Sequence, residues 1–130
     1  MIEQTPLVVT EWHYHPPVNA GEDGKPISNL ISLEVMRKRV STKKGIACRF
    51  SCRFITDDET ILKYIAEDSY VIDLADIIDR NELMTMIRNS YSKFKEKFDL
   101  RKIGTVLQNK SLIALDESGI DTDAILPMLK

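Results

Sequence analysis

The residues of this sequence best suited to chemistry are its two histidines and two cysteines, and their spacing limits what each pair can do. His13 and His15 stand two apart at the end of a stretch that reads as a strand. Side chains at i and i+2 of a strand project from one face, roughly 6.6 Å apart, so the two imidazoles could share a metal with ligands brought from elsewhere. No neighbouring cysteine or acidic cluster completes such a ligand set, and the residues favour a surface or partly packed pair. Cys48 and Cys52 fall in one alternating strand, about 13 Å apart, too far for a disulfide whose Cα atoms must lie within about 7 Å. Both share the apolar phase of that strand with Ile46, Phe50 and Phe54, surroundings that raise a thiol's pKa and leave it inert.

The acidic turn Asp57-Asp58-Glu59 and the pair Asp121 and Asp123 lack the oxygen spacing and central glycine of a calcium loop. The sequence has no glycine-rich phosphate loop, nucleophile elbow or dinucleotide fingerprint. The expectation is a protein that is not an enzyme, with no catalytic residue, cofactor site or metal site.

These side chains must be positioned by a chain of 130 residues, 43% of them apolar, which is enough for a single domain with one core and no need of disulfides. Near its N-terminus no basic segment leads into an apolar run, and no stretch approaches the roughly 20 apolar residues that cross a bilayer. A cytoplasmic protein without a membrane partner is expected. Charge is sorted along the chain: residues 1–78 carry 9 basic and 12 acidic side chains, residues 79–104 carry 7 and 4, and residues 105–130 carry 2 and 4. Nucleic-acid binding needs a concentrated basic surface. With the positive excess assigned mainly to one helix, no nucleic-acid partner is expected.

Leu7 to Tyr14 reads as a first strand, with Leu7 and Val9 on one side and Val8, Trp12 and Tyr14 on the other; Pro16-Pro17 ends it. Residues 19–26 have the composition of an exposed loop. Leu30 to Val40 is a second strand, in which Ile31, Leu33 and Val35 are followed in phase by Arg37 and Arg39, while Met36 and Val40 take the other side. Such a change of phase implies a bulge or bend. Ile46 to Ile55 alternates strictly, as a strand packed on one face does. Leu62, Tyr64, Ala66, Tyr70, Ile72 and Leu74 share a phase in a segment that is either one bent strand or two. Three strands with short connections make a meander.

Asp79-Arg80-Asn81-Glu82 fits a helix capping box, and Leu83, Ile87, Tyr91, Phe94 and Phe98 recur at helical spacing on one face. Val106-Leu107 and Leu112 to Leu115 suggest an edge hairpin or extended loop. A short last helix is expected from about Thr122 to Leu129, with Pro127 limiting its regularity. The fold class is therefore α+β: a curled antiparallel sheet, built as a meander, followed by a long amphipathic helix.

The functional expectation comes from surface composition. Trp12, Tyr14, Met84 and Met86 are side chains that form adaptable apolar contacts. Ile61, Ile65 and Val71 take the outward phase of the long strand segment, where the helix cannot cover them. These seven form the expected protein-binding surface, buried by self-association into a dimer or tetramer or by an unfolded or partner polypeptide.

The order of elements resembles the SecB-like family of export chaperones, which also occurs as chaperones of toxin–antitoxin systems. The parts that carry the resemblance are Ile31 to Val35, Gly45 to Phe54, Ile61 to Leu74, and Glu82 to Phe98 with Ser90-Tyr91 midway, together spanning about residues 5–130. It is a likeness of pattern and order without a diagnostic motif, so no family binding residue is carried over. The resemblance implies a four-stranded curled sheet and long helix assembled as dimers of dimers that hold unfolded polypeptide in apolar grooves. The positively charged helix and the absence of a strongly acidic tail depart from an export chaperone that meets a basic partner. They fit a toxin-related or unspecialised holdase better. The alternative is a small enzyme or ligand-binding domain with a cystatin-like or hotdog-like pocket near His13 and His15; a third reading is a structural subunit with no client.

Overall fold

The computed structural model describes residues 2–4, 6–14, 31–58, 62–73, 76–105 and 111–129. Strands β3 (Ile31–Thr42), β4 (Gly45–Asp58) and β5 (Leu62–Asp73) form the antiparallel meander. The N-terminal chain lies along the far side of β5 in two pieces: β2 (Val8–Tyr14) pairs with its first half and β1 (Ile2–Gln4) with its second. β1 was not anticipated, since three residues carry no readable periodicity. The long segment after Asp58 is one strand, β5, rather than two.

Alternation in β4 and β5 does what period two requires. Phe50, Cys52, Phe54, Leu62, Tyr64, Ala66 and Ile72 are wholly buried on the inner face. The expected bulge is in a different strand. β3 pairs with β4 in one unbroken register from Ile31↔Thr56 to Thr42↔Gly45, so Arg37 and Arg39 stay in the inward phase but are exposed. The register shift falls in β2, between Val9 and Glu11, and the Thr10 hydroxyl there donates to the Ile65 carbonyl at 3.2 Å. An extra residue inverts the phase of everything after it. Trp12 and Tyr14, expected opposite Leu7 and Val9, therefore join them on the inner face, opposite Tyr64 and Leu62.

Helix α1 (Arg80–Arg101) lies over this face. Its cap is the expected one: the Asp79 carboxylate accepts from the Glu82 amide at 2.8 Å. Leu83, Met86, Ile87, Ser90, Tyr91, Phe94 and Phe98 are its buried residues, spaced to form one stripe. Against them the sheet presents rings: Tyr64 stacks on Phe94 with centroids 4.1 Å apart, and Trp12 meets Tyr64 edge-on at 5.3 Å. Two sheet tyrosines also donate into helix carbonyls, Tyr64 to Phe94 at 2.9 Å and Tyr70 to Met86 at 2.8 Å, which satisfies hydroxyls that would be costly to bury unpaired. No helix among the described residues is long and apolar enough to cross a membrane.

The tail returns along the helix. The Tyr91 hydroxyl donates to the Ile113 carbonyl, a 3-10 turn spans Glu117–Gly119, and α2 (Thr122–Ile125) runs into a second 3-10 turn, Leu126–Leu129. That tightening coincides with Pro127, whose missing N–H removes an i→i−4 bond. Leu112 to Leu115 forms no strand, and Val106-Leu107 lies outside the described residues.

Candidate functional site

The inner residues of β3 differ from those of its neighbours. Ile31, Leu33 and Val35 are only half-buried, and the tail supplies their opposite wall. Between β3 and residues 115–125 lies an open cleft of about 280 Å³, walled by Ile31, Leu33, Val35, Leu115, Ile120 and Ile125. Asp116 and Asp121 also border it, but their carboxylates are engaged as caps, accepting from the amides of Ser118 and Ala124. Enclosed small-molecule pockets are typically about 300–1,000 Å³ and bury most of their ligand; this space is small and open, and takes side chains better than a whole ligand. Among the described strands β3 pairs with β4 alone, so the strand that supplies three walls of the cleft is also an edge strand of the described sheet.

The seven residues expected to form a binding surface do not form one patch. Trp12 and Tyr14 are half-buried on the inner face, and the Arg101 guanidinium lies 5.7 Å from the Trp12 ring centre. Met86 is buried under α1, and Met84 is partly buried against the same core. Ile65 and Val71 do point outward, but Ile65 is only 4% exposed and Val71 is half-buried. Ile61 lies outside the described residues.

The outer face is a mosaic rather than an apolar sheet. Arg53 meets Glu34 at 3.5 Å, Lys63 meets Glu11 at 3.5 Å, and the Ser51 and Ser69 hydroxyls are 2.8 Å apart. Val8 and Met36, exposed by 59% and 39%, belong to strands on opposite margins of the sheet. His13 is exposed on this face opposite Lys63 and borders no part of the cleft; His15 lies outside the described residues. The described residues contain no cluster of three or more His, Cys, Asp or Glu side chains arranged to hold a metal.

No protein-family model matches the chain, and no curated protein matches its sequence. Its fold does have a counterpart. The chain is similar to a crystal structure of a protein of unknown function from Streptococcus agalactiae, with a TM-score of 0.51 and 11% identity over 89% of this chain and 97% of that one. At that identity the likeness is one of fold.

A second feature, unread in the sequence, lies under α1. Asp68 occupies the inward phase of β5 between Ala66 and Tyr70 and is wholly buried. Its Oδ2 accepts from Gln4 at 2.7 Å and from Ser90 at 2.7 Å, with the Lys93 ammonium at 3.5 Å; Oδ1 has no partner. The Tyr70 hydroxyl is 2.7 Å from the Ser90 oxygen and accepts from Gln4 at 3.2 Å. This cluster joins β1, β5 and α1 through one carboxylate. Cys52 shares it: burial first, and the Asp68 charge second, push its thiol up to about 12, with the Ser90 hydroxyl opposing the rise. A thiol so protonated is a poor nucleophile. The carboxylate's hydrogen bonds tie a helix to a sheet, and a buried charge deprived of such partners is strongly destabilising.

Proposed function

We propose that this protein binds unfolded or partner polypeptide, as an oligomeric chaperone-like protein of the kind that serves export or toxin–antitoxin control. The observation that carries the reading is the cleft beside β3, with six apolar walls and an adjoining strand whose outer backbone row has no ladder partner among the described residues. An extended polypeptide satisfies both features at once: its backbone continues the sheet while alternate side chains enter the cleft. Self-association into a dimer or tetramer belongs to the same proposal. Val8, Met36 and Val71 are the apolar contribution of the outer face to it.

The test is suppression of aggregation of a chemically unfolded client at several-fold molar excess. The protein is expected to suppress it, and Leu33→Asp, which places a carboxylate in the cleft wall at an already half-exposed position, is expected to abolish suppression while leaving the circular dichroism spectrum unchanged. Aggregation that proceeds unaltered beside the unmodified protein would overturn the reading.

A further inference from the structure

Beyond Val35 the character of β3 changes. The thirteen residues from Arg37 to Arg49 contain six cations, Arg37, Lys38, Arg39, Lys43, Lys44 and Arg49, and no acidic side chain, in a chain of net charge −2. All six are exposed. The β3–β4 register concentrates them. Lys38 stands directly opposite Arg49 on the outer face, while Arg37 and Arg39 follow Val35 along the inner one. Lys43 and Lys44 form the turn, closed by Gly45 at φ +121°, with the Thr42 hydroxyl accepting from the Lys44 amide and donating to the Gly45 carbonyl.

Like charges directly opposite across a ladder are destabilising, and among the described residues Lys38, Arg39, Lys43, Lys44 and Arg49 have no ion-pair partner. A local cost left uncompensated at these five positions is of the kind that proteins accept at functional sites. The counter-charge that suits it is set by continuity with the cleft. One strand edge runs from three apolar inner residues, Ile31, Leu33 and Val35, to two cationic ones, Arg37 and Arg39, at about 6.6 Å per step.

We infer that β3 is a strand-addition site for an acidic partner segment: an extended polypeptide whose alternate side chains are apolar where they meet the cleft and carboxylates where they meet Arg37 and Arg39. Carboxylates of the opposite phase meet Lys38. The inference rests on the client-binding reading and adds the client's chemistry. A nucleic acid fits less well. Single strands are held by stacking on aromatic rings as well as by cations, residues 37–49 contain no aromatic side chain, and a phosphate backbone leaves the apolar half of the edge unused.

The probe is a fluorescein-labelled synthetic peptide matching β3 in its 12-residue length, with valine at alternate positions of one half, glutamate at alternate positions of the other, and serine between. By fluorescence anisotropy it is expected to bind at least about tenfold more tightly than its lysine-for-glutamate counterpart, to weaken as salt rises, and to lose a similar factor with the Arg39→Glu protein. N-methylation of one alternate set of peptide amides is expected to abolish binding and of the other set to spare it, because only one set enters the ladder.

Equal binding of the two charge forms overturns the acidic preference, and equal tolerance of both methylated sets overturns strand addition. Binding of neither peptide by a protein that still suppresses client aggregation overturns the inference and leaves the client reading standing; if aggregation is also unaffected, both fall. An oligonucleotide that displaces the peptide at a lower concentration than the peptide's own assigns the cations to nucleic acid and overturns the inference.

Discussion

The sheet beneath α1 and the margin at β3 share one ladder and one inward phase, yet their residues end in opposite states. Phe54 and Leu33 are directly paired; Phe54 is wholly buried among Tyr91 and Phe94, whereas Leu33 is half-exposed in a cleft. Nothing in strand alternation separates the two. The separation comes from one helix, about 10 Å across with its side chains, lying over strands spaced about 4.8 Å apart. α1 covers β4 and β5, while β3 receives only the edge of the tail. A dry floor and an available margin are thus made by the same pattern, according to how far the covering element reaches.

The most direct way to break that comparison is to truncate one residue in each region. Phe94→Ala removes a ring that stacks on Tyr64 and packs on Phe54, and is expected to cost about 3–5 kcal/mol in urea denaturation. Leu33→Ala is expected to cost about 1 kcal/mol, since a half-exposed side chain forfeits only part of its transfer free energy, while weakening client binding severely. If the two substitutions destabilised the protein equally, the margin would be core and the cleft would have no claim to function.

Alkaline pH sharpens the contrast, because the protonated groups that burial perturbs belong to the floor. Burial pushes the Cys52 thiol from 9.0 to about 12 and the Tyr91 phenol from 10.0 to about 12; Tyr64 and Tyr70 are pushed up for the same first reason. In the unfolded chain these groups release protons near their ordinary values, while the folded protein still holds them. The unfolded state then binds fewer protons, and stability falls with rising pH. The melting temperature is expected to be insensitive to these groups below pH 9.0 and to fall between there and about 12. Cys52→Ala is expected to flatten the first part of that fall, and Leu33→Ala to leave its shape unchanged. A melting temperature that rose above pH 9.0 would contradict the burial of this cluster.

Periodicity made the meander, α1 with its cap and the closing helical turn legible in advance, since each is a run long enough to display its period. What escaped it was short or depended on phase. A single extra residue at Thr10 reversed the sides given to Trp12 and Tyr14, and no residue type there announces a bulge. Conversely, Arg37 and Arg39 suggested a phase change in β3 that does not occur; they keep the inward phase and are exposed at the margin, beside the covered Phe50 and Cys48 of β4. Asp68 was readable, as a carboxylate in the apolar phase of β5, but its partners Gln4, Ser90 and Lys93 are brought to it from two other elements, β1 and α1, by tertiary packing. The cationic hairpin does not show in the charge balance of residues 1–78, where its six charges are outweighed by acids elsewhere. The cleft was not legible, because its walls come from β3 and from a tail whose path no local pattern encodes.

The smallest expected effect bears on that tail. Arg88 on α1 meets Glu117 at 2.6 Å, with both side chains about half exposed, and Arg80 pairs with Asp123 in the same way. Exposed pairs of this kind contribute about 0–1 kcal/mol, so Arg88→Glu should scarcely move the urea midpoint. The pair nevertheless fixes the segment that carries Leu115, Ile120 and Ile125 to the cleft, and a loosened wall lowers affinity through the cost of reordering it on binding. Arg88→Glu is therefore expected to weaken client binding a few-fold at nearly unchanged stability, and the exchanged pair Arg88→Glu/Glu117→Arg to restore it. Restoration by exchange separates tethering from a direct contact of Arg88 with the client, because a client contact would not be recovered by moving the guanidinium to the other side of the pair.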